Sequence, residues 1–442
     1  MTNARECALM VLEKVLEGNV YSNTALNEEL KKNNLNEKDR ALTTEIVYGT
    51  LKYKYTIDSI LSYFLKRGFE NLSSKALNIL RMSIYQLRYL DRVPDFAVTN
   101  EAVNLSKKFC KGFEKLVNAV LRNYLRCDNT EFINSGNLTK KLCLTYSFEE
   151  WMVKLFSNQY GNEMCENILK GLNCNPNITV RVNSLKSNYD DTWNKLSSLG
   201  YDIRDGYICP EAISIIKGSS IEKNMLFNDG CITVQDESAM LAAPILDPHE
   251  NMLCIDLCAA PGGKTTHISE LMMNTGTVLA YDMQPSKLKL IKENCLRLGI
   301  TNVQCNAMDA CIFKSELIDK ADRVLIDVPC SGFGIIRKKP EIKWTKSEKD
   351  IYNLIEIQKC IMNNAARYVK VGGILLYCTC TLNKMENDNN IDWFIENNKN
   401  YQLESLYFGN SNNFIYNEKG YVTILPDEHM DGFFIAKMKR QW

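Results

Sequence analysis

Three histidines in 442 residues, at positions 249, 267 and 429, are too few and too scattered to build a histidine-rich metal site. The seventeen cysteines do not supply one either, because no Cys-x-x-Cys pair stands opposite another. No metal is expected. No run of about 18 apolar residues occurs, so no membrane-spanning helix and no membrane partner are expected. Net charge is missing as well, since 53 basic residues balance 53 acidic ones. A nucleic-acid partner would have to be met by a local patch. Met1 to Gly18 mixes Arg5, Glu6, Glu13, Lys14 and Glu17 with apolar residues, which fits an amphipathic helix and not a secretory signal. The expected setting is therefore the reducing cytoplasm, where most of the cysteines would serve as small core residues. Internal repeats and low-complexity tracts are absent too.

What is present divides the chain into three parts. Residues 1–140 read as all-helical: Leu9, Leu12, Val15, Leu16, Leu26 and Leu30 fall at helical spacing, as do Leu77, Leu80, Ile84 and Leu87 before Pro94. Basic residues recur there at Lys107, Lys108, Lys111, Lys115, Arg122 and Arg126, either as a solvated face or as an RNA-contacting patch. The polar stretch Asp128 to Asn137 suggests a boundary. Residues 141–235 read as a small α+β domain, with a strand at Ile178–Asn183 and a second at Ile213–Ile216. From 236 to 442 strands and helices alternate, which implies a mostly parallel, doubly wound, Rossmann-like α/β sheet. Its expected strands are 252–255, 277–281, 302–305, 323–326 and 374–377, with a late strand at 433–438 that pairs antiparallel.

The densest signal is Asp256-Leu-Cys-Ala-Ala-Pro-Gly-Gly-Lys-Thr265, between the apolar run Met252–Ile255 and the helical spacing of His267–Met273. A strand, a Gly-rich turn and a helix N-terminus let backbone approach a ligand and offer it free N–H groups. A P-loop would need a glycine where Cys258 stands. A purely structural turn and an adenosine-type cofactor are the other readings. Asp282, closing the next strand, is placed to accept hydrogen bonds from ribose hydroxyls. In such sheets ligands lie beyond the carboxyl ends of the strands. Asp282, Asp309, Asp327, Cys330 and Cys380 all fall just past such ends.

Asp327-Val-Pro-Cys330-Ser-Gly332 is a turn that presents a carboxylate and a thiol, and Tyr377-Cys-Thr-Cys380-Thr381 ends the next strand with another thiol. The two sulfurs could be ordinary core cysteines, a redox pair, or the machinery of covalent catalysis. Arg337, Lys338, Lys339, Lys343 and Lys346, with Trp344 among them, form a basic run that suits RNA phosphates and one stacking ring, or else a solvated loop.

Cys258-Ala-Ala-Pro-Gly-Gly-Lys264, Asp327-Val-Pro-Cys330-Ser-Gly-Phe-Gly334, Arg337-Lys-Lys-Pro-Glu-Ile-Lys-Trp344 and Thr379-Cys380-Thr381 together resemble the RNA (cytosine-C5) methyltransferases of the Sun (Fmu) family. Ala41–Leu51 and Lys115–Asn123 resemble the NusB-type RNA-binding helical domain that some members carry. The resemblance spans nearly the whole chain. It implies a class I methyltransferase domain that takes S-adenosylmethionine, held by Cys258, Ala259, Ala260, Pro261, Gly262, Gly263, Lys264, Asp282, Asp309 and Asp327. It implies Cys380 as nucleophile, Cys330 as the group that helps release product, and Asp327 as a hydrogen-bond partner of cytosine N3. The implied substrate is small-subunit ribosomal RNA, at cytosine 967 of the 16S rRNA, not DNA, and the implied state is a monomer. Thr381 stands where serine is commoner, and Cys378 adds a thiol on the same strand face as Cys380 but about 6–7 Å deeper. A DNA-type enzyme would instead attack with Cys330, and a scaffold protein would use neither thiol.

Overall fold

The computed structural model describes residues 3–127 and 136–442, so most of the boundary expected at Asp128–Asn137 lies outside the described residues. The chain forms two compact units. One comprises residues 1–173 and 336–346, the other residues 174–335 and 347–442.

The first unit is helical. Its opening helix, Ala4–Leu16, starts where the Asn3 side chain accepts from the Glu6 N–H at 2.9 Å, and it buries Leu9, Leu12 and Val15. Helix Ser74–Tyr89 begins under the cap of Ser73, and helix Asp95–Phe109 starts directly after Pro94, which has no N–H to lose. Gly49 sits where any side chain would strike the Tyr85 ring, so the helix Glu37–Lys52 can approach its neighbour closely only with glycine there. Lys107, Lys108, Lys111, Lys115, Arg122 and Arg126 are all exposed.

The segment 336–346 belongs to this unit, and it corrects the reading of the basic run. Lys343 is fully buried: its Nζ lies within 3.3 Å of the carbonyls of Lys52, Tyr146 and Ser147 and of Asn173 Oδ1. Burial, and then the charge of Lys52, push this lysine well below its ordinary pKa. Trp344 donates its Nε1–H to the Leu51 carbonyl, and Arg337 is buried too. Glu341, next to them, accepts from both the N–H and the hydroxyl of Ser22. Dense charge suited either RNA phosphates or a solvated loop, but Lys343 meets neither, because carbonyl oxygens satisfy it inside the protein, while Lys338, Lys339 and Lys346 remain half-buried.

The second unit holds two sheets. In the smaller, β1 (Ile178–Val182), β2 (Asp202–Asp205), β3 (Ala212–Lys217) and β4 (Ile232–Val234) run antiparallel in the order β2-β3-β1-β4. The larger contains, among the described residues, β5 (Leu253–Asp256), β6 (Thr277–Asp282), β7 (Val303–Ala307), β8 (Ala321–Asp327), β9 (Val369–Thr379), β10 (Tyr401–Glu404), β11 (Phe414–Tyr416), β12 (Val422–Ile424) and β13 (Phe433–Arg440). The order is β7-β6-β5-β8-β9-β13-β12-β11, with β10 also on β13. Strands β5 to β9 are parallel, and β13 is antiparallel to β9, as the sequence pattern implies. Val324, Leu325 and Ile326 of β8 are all fully buried, as a central parallel strand covered on both faces must be. Strand order reverses between β5 and β8, which opens a crevice at their carboxyl ends.

Candidate functional site

The Gly-rich turn follows β5. Asp256, at the end of that strand, is 1% exposed; it accepts from Thr265 Oγ1 at 2.7 Å and from the Cys258 N–H at 3.3 Å. Burial pushes its carboxyl up to about 7, against the pull of Thr265. Sequence reasoning gave Asp256 no role, although it braces the turn from below. Gly262 takes φ +104°, which only glycine adopts readily, and the helix Gly263–Leu271 begins after it without a side-chain cap. A Cβ on Gly263 would meet nothing nearer than the Gln235 side chain at 3.8 Å.

The expected binding residues gather round this turn. Asp282 accepts from the Ala260 N–H at 3.3 Å and from the Gln284 N–H at 2.9 Å, and the Ala259 N–H donates to the Tyr281 carbonyl at 2.8 Å. The Pro261 carbonyl accepts from Asn294 at 3.0 Å. Asp309 lies two residues past β7 and accepts from the Cys311 N–H at 2.9 Å. The Cys258 thiol is raised well above its ordinary pKa, by burial first and then by Asp256, Asp327 and Asp282. One sulfur thus senses three carboxylates that the sequence spreads over 72 positions. Open backbone, free N–H groups at a helix start and carboxylates at successive strand ends fit a nucleoside-type cofactor.

The second half of the site lies over β8 and β9. Asp327 closes β8, and its Oδ2 lies 2.7 Å from Lys264 Nζ. Burial works most strongly against that ammonium, but the charge and hydrogen bond of Asp327, together with the nearby Cys378 and Cys380 sulfurs, hold Lys264 above its ordinary value. Asp327 stands opposite Cys378 across β8 and β9. The Val328 N–H donates to the Cys378 carbonyl at 3.2 Å and the Gly334 N–H to the Cys380 carbonyl at 2.9 Å, which zips the turn to the neighbouring strand end. The zip brings Cys330 Sγ within 3.3 Å of Cys380 Sγ. The hydrogen bond to Cys380, then burial, then the charges of Glu386 and Asp327 hold Cys330 well above the usual thiol pKa. Cys330 is therefore held as a thiol, in hydrogen-bond contact with Cys380. Cys378 is fully buried beneath them, its own thiol raised chiefly by burial.

Two buried groups at the site escaped sequence reasoning. Arg181, on β1, is fully buried and pairs with Glu270 at 2.7 Å while donating to the Gly263 carbonyl at 3.0 Å, so the small sheet props the helix that starts the turn. Glu386 lies under the Cys330 turn. Arg181 sits in a strand the sequence did mark, but nothing in that alternation gives it a partner, and Glu386 belongs to no marked element, so only the folded arrangement reveals their roles.

Comparison with known proteins adds three findings. Family models match residues 243–439 (16S rRNA methyltransferase RsmB/F), 2–126 (NusB family) and 148–222 (the ferredoxin-like domain of RsmF/B-like methyltransferases). The chain is 37% identical to the probable ribosomal RNA small subunit methyltransferase B of Bacillus subtilis, over 100% of this chain and 99% of the relative. It is 31% identical to the ribosomal RNA small subunit methyltransferase B of Proteus mirabilis, over 99% of each. Among solved structures, PH0851 superposes with a TM-score of 0.84 at 28% identity and covers 98% of both chains. A methyltransferase homolog protein from Pyrococcus horikoshii gives 0.61 at 27% identity, over 70% of this chain and all of that one.

Proposed function

The chain belongs to the RsmB/F family of 16S rRNA methyltransferases and is an RNA cytosine-5 methyltransferase, and on that premise we propose that it methylates C5 of one small-subunit rRNA cytosine, cytosine 967, through a cysteine adduct at C6. The observation that carries this reading is the 3.3 Å thiol pair set at adjacent strand ends beside Asp327.

S-adenosylmethionine, when bound, supplies the electrophilic methyl group. The turn Cys258–Lys264 and the carboxylates of Asp282 and Asp309 are the residues that would hold it, with Asp282 toward the ribose. Cytosine C5 is a weak nucleophile. Attack of the Cys380 thiolate on C6 pushes electron density toward C5 and N3, which makes C5 able to take the methyl group. Asp327 is the partner we assign to cytosine N3, and the Lys264 ammonium paired with it would supply a positive field as negative charge develops there. Transfer of the C5 proton to a base, here water admitted to the crevice, then restores the ring double bond and expels Cys380 as a thiolate. A hydrogen bond from the Cys330 thiol stabilises that departing thiolate, which gives the second sulfur a role in release rather than attack. The target base must leave its stack to reach strand ends inside a crevice.

The exposed basic residues of helices Asp95–Phe109 and Glu114–Arg126 support an RNA-contacting role for the helical unit. The test is methyl transfer from labelled S-adenosylmethionine to unmodified small-subunit rRNA, with DNA alongside. Label on C5 of a single rRNA cytosine and none on DNA is expected. Label on DNA, or none on RNA, would overturn the reading.

A further inference from the structure

A layer of buried polar side chains lies beneath the two thiols. Glu386 is 0% exposed, and its carboxylate receives four donors. Oε1 accepts from the Ser331 N–H at 2.8 Å and from Gln358 Nε2 at 3.0 Å; Oε2 accepts from Ser331 Oγ at 2.6 Å and from Asn383 Nδ2 at 3.0 Å. Gln358 also donates to the Pro329 carbonyl at 2.9 Å. Cys330 is thus fixed through the residues on both sides of it. The next residue, Asn387, also fully buried, does the same for Cys380: its Oδ1 accepts from Thr379 Oγ1 at 2.6 Å, and its Nδ2 donates to the Thr381 carbonyl at 2.9 Å. Ser331 Oγ and Thr381 Oγ1, 2.6 Å apart, tie the two grips together.

We propose that Glu386 and Asn387 are positioning residues for catalysis, a clamp that sets the separation of the two thiols by gripping the Cys330 turn and the Cys380 strand end from adjacent positions of one chain. The donors that meet the carboxylate are neutral amide and hydroxyl groups. A buried carboxylate held only by neutral donors is a demanding way to brace a turn, and apolar packing would serve if bracing were all that was needed. The carboxylate does what packing cannot. It fixes Ser331 by two directional bonds, and its negative charge helps keep Cys330 in the protonated form that donates to Cys380. Gln in its place would turn an acceptor into a donor facing Asn383 or Ser331 and remove that charge. Glu386 acts through Cys330, and Asn387 through Cys380.

The proposal rests on the assignment of attack to Cys380 and release to Cys330. Its test measures the lifetime of the denaturant-resistant protein–RNA adduct, with full-length protein, unmodified small-subunit rRNA and S-adenosylmethionine. Glu386→Gln and Gln358→Ala should bind cofactor normally yet release RNA more slowly by about tenfold, the factor for one lost charge-assisted hydrogen bond. Asn387→Ala should slow adduct formation instead. In a Cys330→Ala background, Glu386→Gln should add no further delay. Gln358→Ala keeps the proposal testable if the carboxylate variant fails to fold. If Cys330→Ala accumulates adduct but Glu386→Gln and Gln358→Ala release at the wild-type rate, or if Glu386→Gln adds its full delay to Cys330→Ala, the clamp is overturned while the thiol assignment stands. If Cys330→Ala accumulates none, the thiol assignment fails and takes the clamp with it.

Discussion

Lys264 Nζ lies 2.7 Å from Asp327 Oδ2, so the last residue of the Gly-rich stretch and the first residue of the thiol-bearing turn meet in one ion pair. The pair joins the half of the site that suits a cofactor to the half that suits a base. Removing the ammonium leaves the Asp327 carboxylate uncompensated in a partly buried place. Lys264→Ala should therefore lower single-turnover methyl transfer at saturating cofactor by about 100-fold, as loss of one preorganised electrostatic group does, beyond any loss of cofactor affinity. Rapid-quench kinetics beside calorimetry separates the two. An unchanged transfer rate would leave the pair without a chemical role.

Asp282 should carry cofactor binding. Its carboxylate ties down the Ala260 N–H and keeps lone pairs to spare for ribose hydroxyls. Asp282→Ala should weaken S-adenosylmethionine binding by about 1–3 kcal/mol, the range for losing hydrogen bonds to a charged group. Unchanged affinity by calorimetry would remove the assignment.

Asp256 should give stability a pH dependence of unusual sign. Its native pKa of about 7 lies above the ordinary aspartate value near 3.9. Between those values the native state holds a proton that the unfolded chain has released, so this residue's contribution falls as pH rises through that window. The whole swing is at most about 4 kcal/mol. Denaturant melts of the wild type and Asp256→Asn from pH 4 to 8 should differ in slope, with the asparagine variant flatter. Parallel curves would show that Asp256 stays ionised.

Much of this site was legible before folding was considered. The strand, turn and helix around 253–271 announced themselves through an apolar run, small residues and helical spacing. The alternation that follows fixed a parallel sheet, hence the edge where Asp282, Asp327, Cys330 and Cys380 meet. Other features were hidden for physical reasons. β9 runs from Val369 to Thr379, well before the expected start at Ile374, because Gly372-Gly373 reads as a helix stop although it lies within the strand. β2, Asp-Ile-Arg-Asp, is a mostly exposed edge strand with no apolar alternation to mark it. Lys343 has the composition of a solvated loop, and its partners are carbonyls distant in sequence. Glu386 is a single polar residue whose meaning depends on Ser331, 55 positions away.

The helical unit should supply affinity rather than chemistry. Lys107, Lys111, Lys115 and Arg122 are exposed. Replacing all four with Ala should weaken rRNA binding and make its salt dependence shallower, by about 0.7–0.9 in log–log slope for each phosphate no longer neutralised. Cofactor affinity should not change. Equal slopes for the variant and the wild type would assign these residues to a solvated face.

The division of labour between the two thiols is the central claim, and one denaturing gel tests it most directly. Wild type, Cys380→Ala and Cys330→Ala are each incubated with S-adenosylmethionine and unmodified small-subunit rRNA, then denatured. Cys380→Ala cannot add to C6, so it should yield neither methylated RNA nor a covalent complex. Cys330→Ala attacks and methylates but lacks the donor 3.3 Å from the departing sulfur, so it should accumulate a denaturant-resistant adduct. An adduct in Cys380→Ala and none in Cys330→Ala would place the attack on Cys330 and contradict the account.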